Sequence, residues 1–133
     1  MKAAKDKGIS ECVFCARAGS GDVVIENDLA CVIEDRYPVT EGHCLVIPRR
    51  HFDDYFDITG EERDAVHELL LSMKKLLSDR DPSITGFNVG VNSGRSAGQS
   101  IFHVHIHLIP RRDHDMENPK GGVRGVIPGK MKY

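Results

Sequence analysis

The stretch Gln99-Ser-Ile-Phe-His-Val-His-Ile-His-Leu-Ile-Pro110 constrains this chain more than any other. Successive residues of a β-strand point to opposite faces, so a strand here sets His103, His105 and His107 on one side and Val104, Ile106 and Leu108 on the other. One side is core and the other is chemical. A single histidine in such a place is ordinarily a packing residue. Three in register are not, because each imidazole needs hydrogen-bond partners once water is excluded. The residues alone leave two uses for them, metal ligation and phosphoryl chemistry.

The 133 residues suit one domain, 1–133, with one core. No apolar run approaches the ~18 residues of a membrane span. The basic start, Met1 to Lys7, has no apolar segment behind it, unlike a signal peptide. No membrane partner and a cytoplasmic location are therefore expected. A net charge of −2 argues against nucleic-acid binding, which normally shows as a strongly basic face. Arg49-Arg50 and Arg111-Arg112, each after a strand and its proline, read as solvated loop charge, with anion steering as the alternative.

Taken in order, residues 1–11 read as a mobile N-terminus. Val23–Glu26 and Leu29–Ile33 are β-rich runs joined at Asn27-Asp28, the pattern of a hairpin in which Asp35 follows the second strand. Pro38, Thr40 and Gly42 mark a loop before a third strand, His43–Ile47, which Pro48 ends and His51 follows. Thr59-Gly-Glu-Glu62 fits a capping box, and Val66, Leu69, Leu70, Met73, Leu76 and Leu77 then recur at helical spacing until Asp81-Pro82. Phe87–Val91 is a fourth strand. Asn92-Ser-Gly-Arg-Ser-Ala-Gly98 is a glycine-rich connection whose backbone can approach an anion closely, beside the three histidines. Residues 113–133 carry Gly121-Gly122, Gly125, Pro128 and Gly129 without periodicity and read as an extended tail.

Cys12 and Cys15 form a Cys-x-x-Cys pair, whereas Cys31 and Cys44 sit in apolar strands as small buried hydrophobes. The pair reads as half of a zinc site, provided two more ligands exist. A redox motif would be expected at a helix start within a strand-helix-strand unit, which the pattern lacks.

His103-Val-His-Ile-His-Leu-Ile-Pro110 resembles the signature of the histidine triad family of nucleotide hydrolases and transferases. Asp35 with Pro38, Gly42-His-Cys-Leu-Val-Ile-Pro48, His51, Asn92 and Gly98-Gln99-Ser100 follow the same family order, over roughly residues 12 to 112. The resemblance implies an α+β fold: an antiparallel sheet of about five strands, one main helix packed on it, and a homodimer. It places the nucleophile on His105, attacking the α-phosphorus of a nucleotide to form a nucleotidyl-histidine that water resolves to a nucleoside monophosphate. It puts His107 and Ser100 beside it in catalysis, with Asn92, Gly98, Gln99, Ser100 and His107 on the phosphate or leaving group. Asp35 would accept from the ribose hydroxyls, its plainer alternative being a turn cap. The resemblance also supplies the missing zinc ligands: Cys12, Cys15, His51 and His103 would hold one structural Zn2+ per chain.

Family members that transfer the nucleotide typically carry glutamine at the third triad position. His107 thus favours hydrolysis, of a nucleoside phosphoramidate or a dinucleoside polyphosphate. The alternatives are a nucleotidyltransferase, a non-catalytic nucleotide-binding module, and a hydrolase whose three histidines hold a catalytic metal. His43, His67 and His114 are left as surface or packing residues.

Overall fold

The computed structural model describes residues 11–133. The expectation of a mobile N-terminus thus falls almost wholly outside the described residues. Five antiparallel strands, β1 (Ile25–Glu26), β2 (Ala30–Glu34), β3 (Cys44–Pro48), β4 (Ile84–Val91) and β5 (Ile106–Arg112), form one sheet in the order β1-β2-β3-β5-β4. One face is covered by a long helix, Gly60–Arg80, the second in chain order and here α2. Its start is the capping box expected: the Thr59 side chain accepts from the Glu62 N–H, and the Glu62 carboxylate accepts from the Thr59 N–H. Two donors at the helix start are thereby satisfied. Arg50 clamps the same carboxylate at 2.9 Å through two nitrogens and, with the cap, holds Glu62 down at about 2. The apolar stripe of α2, Val66, Leu69, Met73 and Leu77, packs on Ala30, Val32, Cys44, Val46 and the apolar side of the histidine segment.

The opposite face is organised by a helix that periodicity does not reveal, α1 (Val13–Ser20). It is too short for a stripe to show. Cys12 caps it, its sulfur accepting from the Cys15 N–H, so the Cys-x-x-Cys pair opens a helix, although no strand precedes it among the described residues. Phe14 and Cys12 pack there on Cys31, Ile33, Leu45 and Ile47, the alternate residues of β2 and β3. Two cores thus share one sheet.

The histidine segment is less regular than a continuous strand. Only Ile106–Arg112 pairs in the sheet. Residues 103–105 keep the alternation but bond elsewhere: the Val104 N–H donates to the Phe52 carbonyl, and the His103 ring bonds the Pro48 carbonyl. β5 in turn runs on through Pro110 to Arg112, which corrects the placing of Arg111-Arg112 in a loop. Arg111 pairs with Asp115 at 2.7 Å and Arg112 with Asp81 at 2.8 Å, while Arg49 pairs with Glu26 and Arg50 with Glu62. Both basic pairs are occupied by carboxylates. The tail is also more folded than expected: a 3-10 turn, Gly122–Val126, lies against β4, and Lys120 and Arg124 stand over the Tyr133 ring. A side chain at Gly121 would overlap the Met131 carbonyl, so this loop closes only around glycine.

Candidate active site and metal centre

The three triad histidines leave the sheet in different company. His103 is fully buried, and its Nδ1 lies 3.4 Å from both the Cys12 and Cys15 sulfurs. Cys15 Sγ is in turn 3.4 Å from His51 Nδ1. All four ligand atoms lie within 4.8 Å of one another. Ligands around a tetrahedral zinc with ordinary bond lengths stand ~3.5 Å apart, so the spacing already fits the ion. The tautomer fits as well. His103 Nε2 sits 2.7 Å from the Pro48 carbonyl, which can only accept a hydrogen bond, so the ring proton is on Nε2 and Nδ1 is bare and aimed at the cysteines. Burial, and the neighbouring Cys12 sulfur, push the Cys15 thiol up to about 11; a dication beside both thiols removes that penalty. The expected ligand set is thus brought together complete.

His105 turns the other way. Its Nδ1 donates to the His103 carbonyl at 2.8 Å, so the bare nitrogen is Nε2. Burial lowers its pKa below the ordinary 6.5, opposed by that carbonyl bond, and the ring is neutral at pH 7. Phe14 packs on it edge-on, with ring centres 4.9 Å apart.

His107 is set by His43, a residue expected only to pack or to face solvent. His43 is 4 % exposed, and its Nδ1 accepts from the Val39 N–H at 3.1 Å. Its proton is therefore on Nε2, which lies 2.9 Å from His107 Nδ1 and 3.4 Å from an Asp35 oxygen. Donating to His107 Nδ1 forces the proton of the neutral His107 ring onto Nε2. The neighbouring histidines thus carry opposite tautomers, a bare Nε2 on His105 and an N–H on His107. Burial lowers His43 and His107, with Asp35 opposing in both cases. The sequence signal for His43 is its place in Gly42-His43-Cys44, two residues before Leu45, which pairs with His107 across β3 and β5. His67 and His114 are exposed, as expected.

A cavity of about 420 Å3 opens over this face, and His105, His107, Asp35, Asn92, Gly98 and Ser100 all border it. Asp35 serves two ends: one oxygen accepts from the Tyr37 N–H at 2.8 Å and caps the turn, and the other faces His43 and His107. Gln99 differs from the expectation for it. It is buried behind the loop, accepting from the Gly94 N–H and donating to the Asp53 and Ile101 carbonyls, so its amide shapes the loop instead of facing the cavity. The geometry also decides against a three-histidine metal: His103 belongs to the cysteine cluster, His107 to His43 and Asp35, and His105 to neither.

A family model, HIT domain, matches residues 18–114. The chain belongs to the HIT family. Among solved structures it is similar to a zinc-bound histidine triad family protein from Mycobacterium smegmatis, with 33% identity and a TM-score of 0.74 over 84% of this chain and 82% of that one. It is also similar to the diadenosine triphosphate hydrolase of Plasmodium falciparum, with 28% identity and a TM-score of 0.66 over 73% of this chain and 65% of that one. Among curated proteins, the adenylylsulfatase HINT3 of Arabidopsis thaliana is 38% identical over 112 residues, 80% of this chain and 55% of the plant protein. No helix among the described residues is long and apolar enough to cross a membrane.

Proposed function

We propose that this HIT protein is a nucleotide hydrolase in which His105 Nε2 attacks the α-phosphorus of a nucleoside phosphoramidate or dinucleoside polyphosphate. The attack forms a phosphorus–nitrogen bond and breaks the bond to the leaving group. Water then cleaves the nucleotidyl-histidine, releasing a nucleoside monophosphate and restoring the ring. The opposed tautomers of His105 and His107 carry the reading. A neutral imidazole held by its Nδ1–H is a competent nucleophile. The His107 N–H beside it donates to a phosphoryl oxygen as charge develops. Ser100 and Asn92 border the same space and would add donors, while the Asp35 oxygen on the His107 side would accept from a ribose hydroxyl.

The residues Cys12, Cys15, His51 and His103 would hold a structural zinc, which fastens α1 to the histidine segment. Homodimerisation fits the exposed edge strand β4, where Val89 and, from α2, Leu71 are half exposed beside Phe87. Size-exclusion chromatography with light scattering should give twice the chain mass; a monomer at micromolar concentration would contradict it.

The decisive experiment is single-turnover hydrolysis by wild type and His105→Ala, with mass spectrometry of a quenched reaction. A nucleotidyl adduct on the His105 peptide is expected, together with loss of turnover in the variant while nucleotide binding stays within about tenfold. Full activity in the alanine variant rejects the mechanism. Elemental analysis should find about one zinc per chain, lost on Cys12→Ser with Cys15→Ser.

A further inference from the structure

One side chain on the cavity wall is out of character. Val13, Phe14, Leu45 and Ile101 make an apolar side, and among them lies Arg17, only 9 % exposed. Burying a guanidinium is costly unless it is paired. Asp22 supplies the pair, accepting from Arg17 Nε at 2.8 Å. The backbone is fixed at the same place: the Arg17 carbonyl accepts from the Ser20 hydroxyl, the Asp22 N–H and the N–H of Gly21, whose left-handed conformation ends α1. One edge of the fork is thus anchored outside the pocket. Among the described residues nothing pairs with the two terminal amino groups, whose four N–H donors are open to a ligand.

The cavity can be divided by chemistry. His105 and His107 take the phosphoryl group at one side, and Asp35 stands beside His107. The apolar side from α1, β3 and Ile101 is left for the nucleoside's flat ring, and Arg17 is its buried cation; Arg36, the other cation on the rim, is exposed on the Asp35 turn. We propose that Arg17 reads the edge of the nucleobase and selects 6-oxopurines, guanine and hypoxanthine, over adenine. Guanidinium offers only donors. The 6-oxopurines answer with acceptors at O6 and N7, whereas adenine places an amino donor where O6 would be. Donor faces donor, and a desolvated N–H is left unmatched.

The assignment rests on the nucleotide-hydrolase reading given above. Its test is equilibrium binding of GMP, IMP and AMP to the zinc-loaded protein, for wild type and Arg17→Leu, with kcat and KM for guanosine and adenosine phosphoramidates. Wild type should bind GMP and IMP about tenfold or more tightly than AMP, the scale of a bidentate arginine–base contact. In Arg17→Leu the ratio should collapse toward one, through KM more than kcat. IMP and AMP differ only at C6 and N1 of the ring, so their comparison on wild type needs no variant and is immune to misfolding. Equal binding of IMP and AMP overturns the proposal, as does a preference that survives Arg17→Leu; in both cases Arg17 is only the helix-end partner of Asp22. Base-blind binding with intact turnover rejects this assignment alone, whereas failure of all three nucleotides to bind, with no turnover, rejects the hydrolase reading with it.

Discussion

The two faces of the sheet are built from the same strands and held by different physics. On the α2 face Val104, Ile106 and Leu108 meet the stripe Val66, Leu69, Met73 and Leu77, and the contact is apolar throughout. Burial scales with area there and is indifferent to proton positions. On the α1 face the intervening residues are His103, His105 and His107, and every ring is oriented by a named partner: the Pro48 carbonyl, the His103 carbonyl, and His43. The first face supplies cohesion without direction, and the second supplies direction at the cost of many buried polar groups. The α2 face should therefore tolerate volume changes at a cost in stability only, while the α1 face should lose function under changes that leave stability nearly intact.

The sharpest break of that division is His105→Ala, with turnover expected to fall below detection while the melting temperature changes little, since the ring is held by a single hydrogen bond and by edge contacts with Phe14 and His107. Next is Met73→Ala, which should cost about 2–4 kcal/mol in denaturant unfolding by opening a cavity under α2, with KM unchanged within experimental scatter. A large KM change would mean that the two faces are coupled. Third, His43→Phe keeps the bulk of the ring but removes the donor to His107; kcat should fall about 10- to 100-fold, with unfolding affected less than in Met73→Ala. Recovery by His43→Gln, whose amide N–H can donate, would show that the bond and not the ring matters.

A pH profile gives the smallest effect. Protonating His105 removes the nucleophile, so the rate falls as pH drops through its pKa. Burial lowers that pKa, and the acid limb should therefore lie below 6.5. Asp35 opposes the shift, so Asp35→Asn should move the acid limb to still lower pH. A limb that moves upward would place the charge of Asp35 elsewhere in the cycle.

Legibility in the amino-acid sequence follows the same division. Helix α2 is legible because its cap and its stripe are local patterns, and the apolar alternation at 104, 106 and 108 needs only a period of two. Helix α1 is hidden because eight residues are too few for periodicity to speak, and its cap is a cysteine, outside the usual Ser/Thr/Asp/Asn set. The ligand set Cys12, Cys15, His51 and His103 comes from family resemblance, since spacing alone offers only the first half. His43 escapes because its role depends on a partner 64 residues away, and its place two residues before Leu45 becomes a signal only once the pairing of Leu45 with His107 is known. Gln99 misleads in the opposite direction: its neighbours border the cavity, but the loop turns its amide inward.

Residue 103 belongs to both halves of the chemistry. Its ring completes the sulfur–nitrogen cluster, and its carbonyl holds the proton of His105. The acceptor that orients the attacking nitrogen is therefore part of the very residue that closes the cluster, two positions away along the chain.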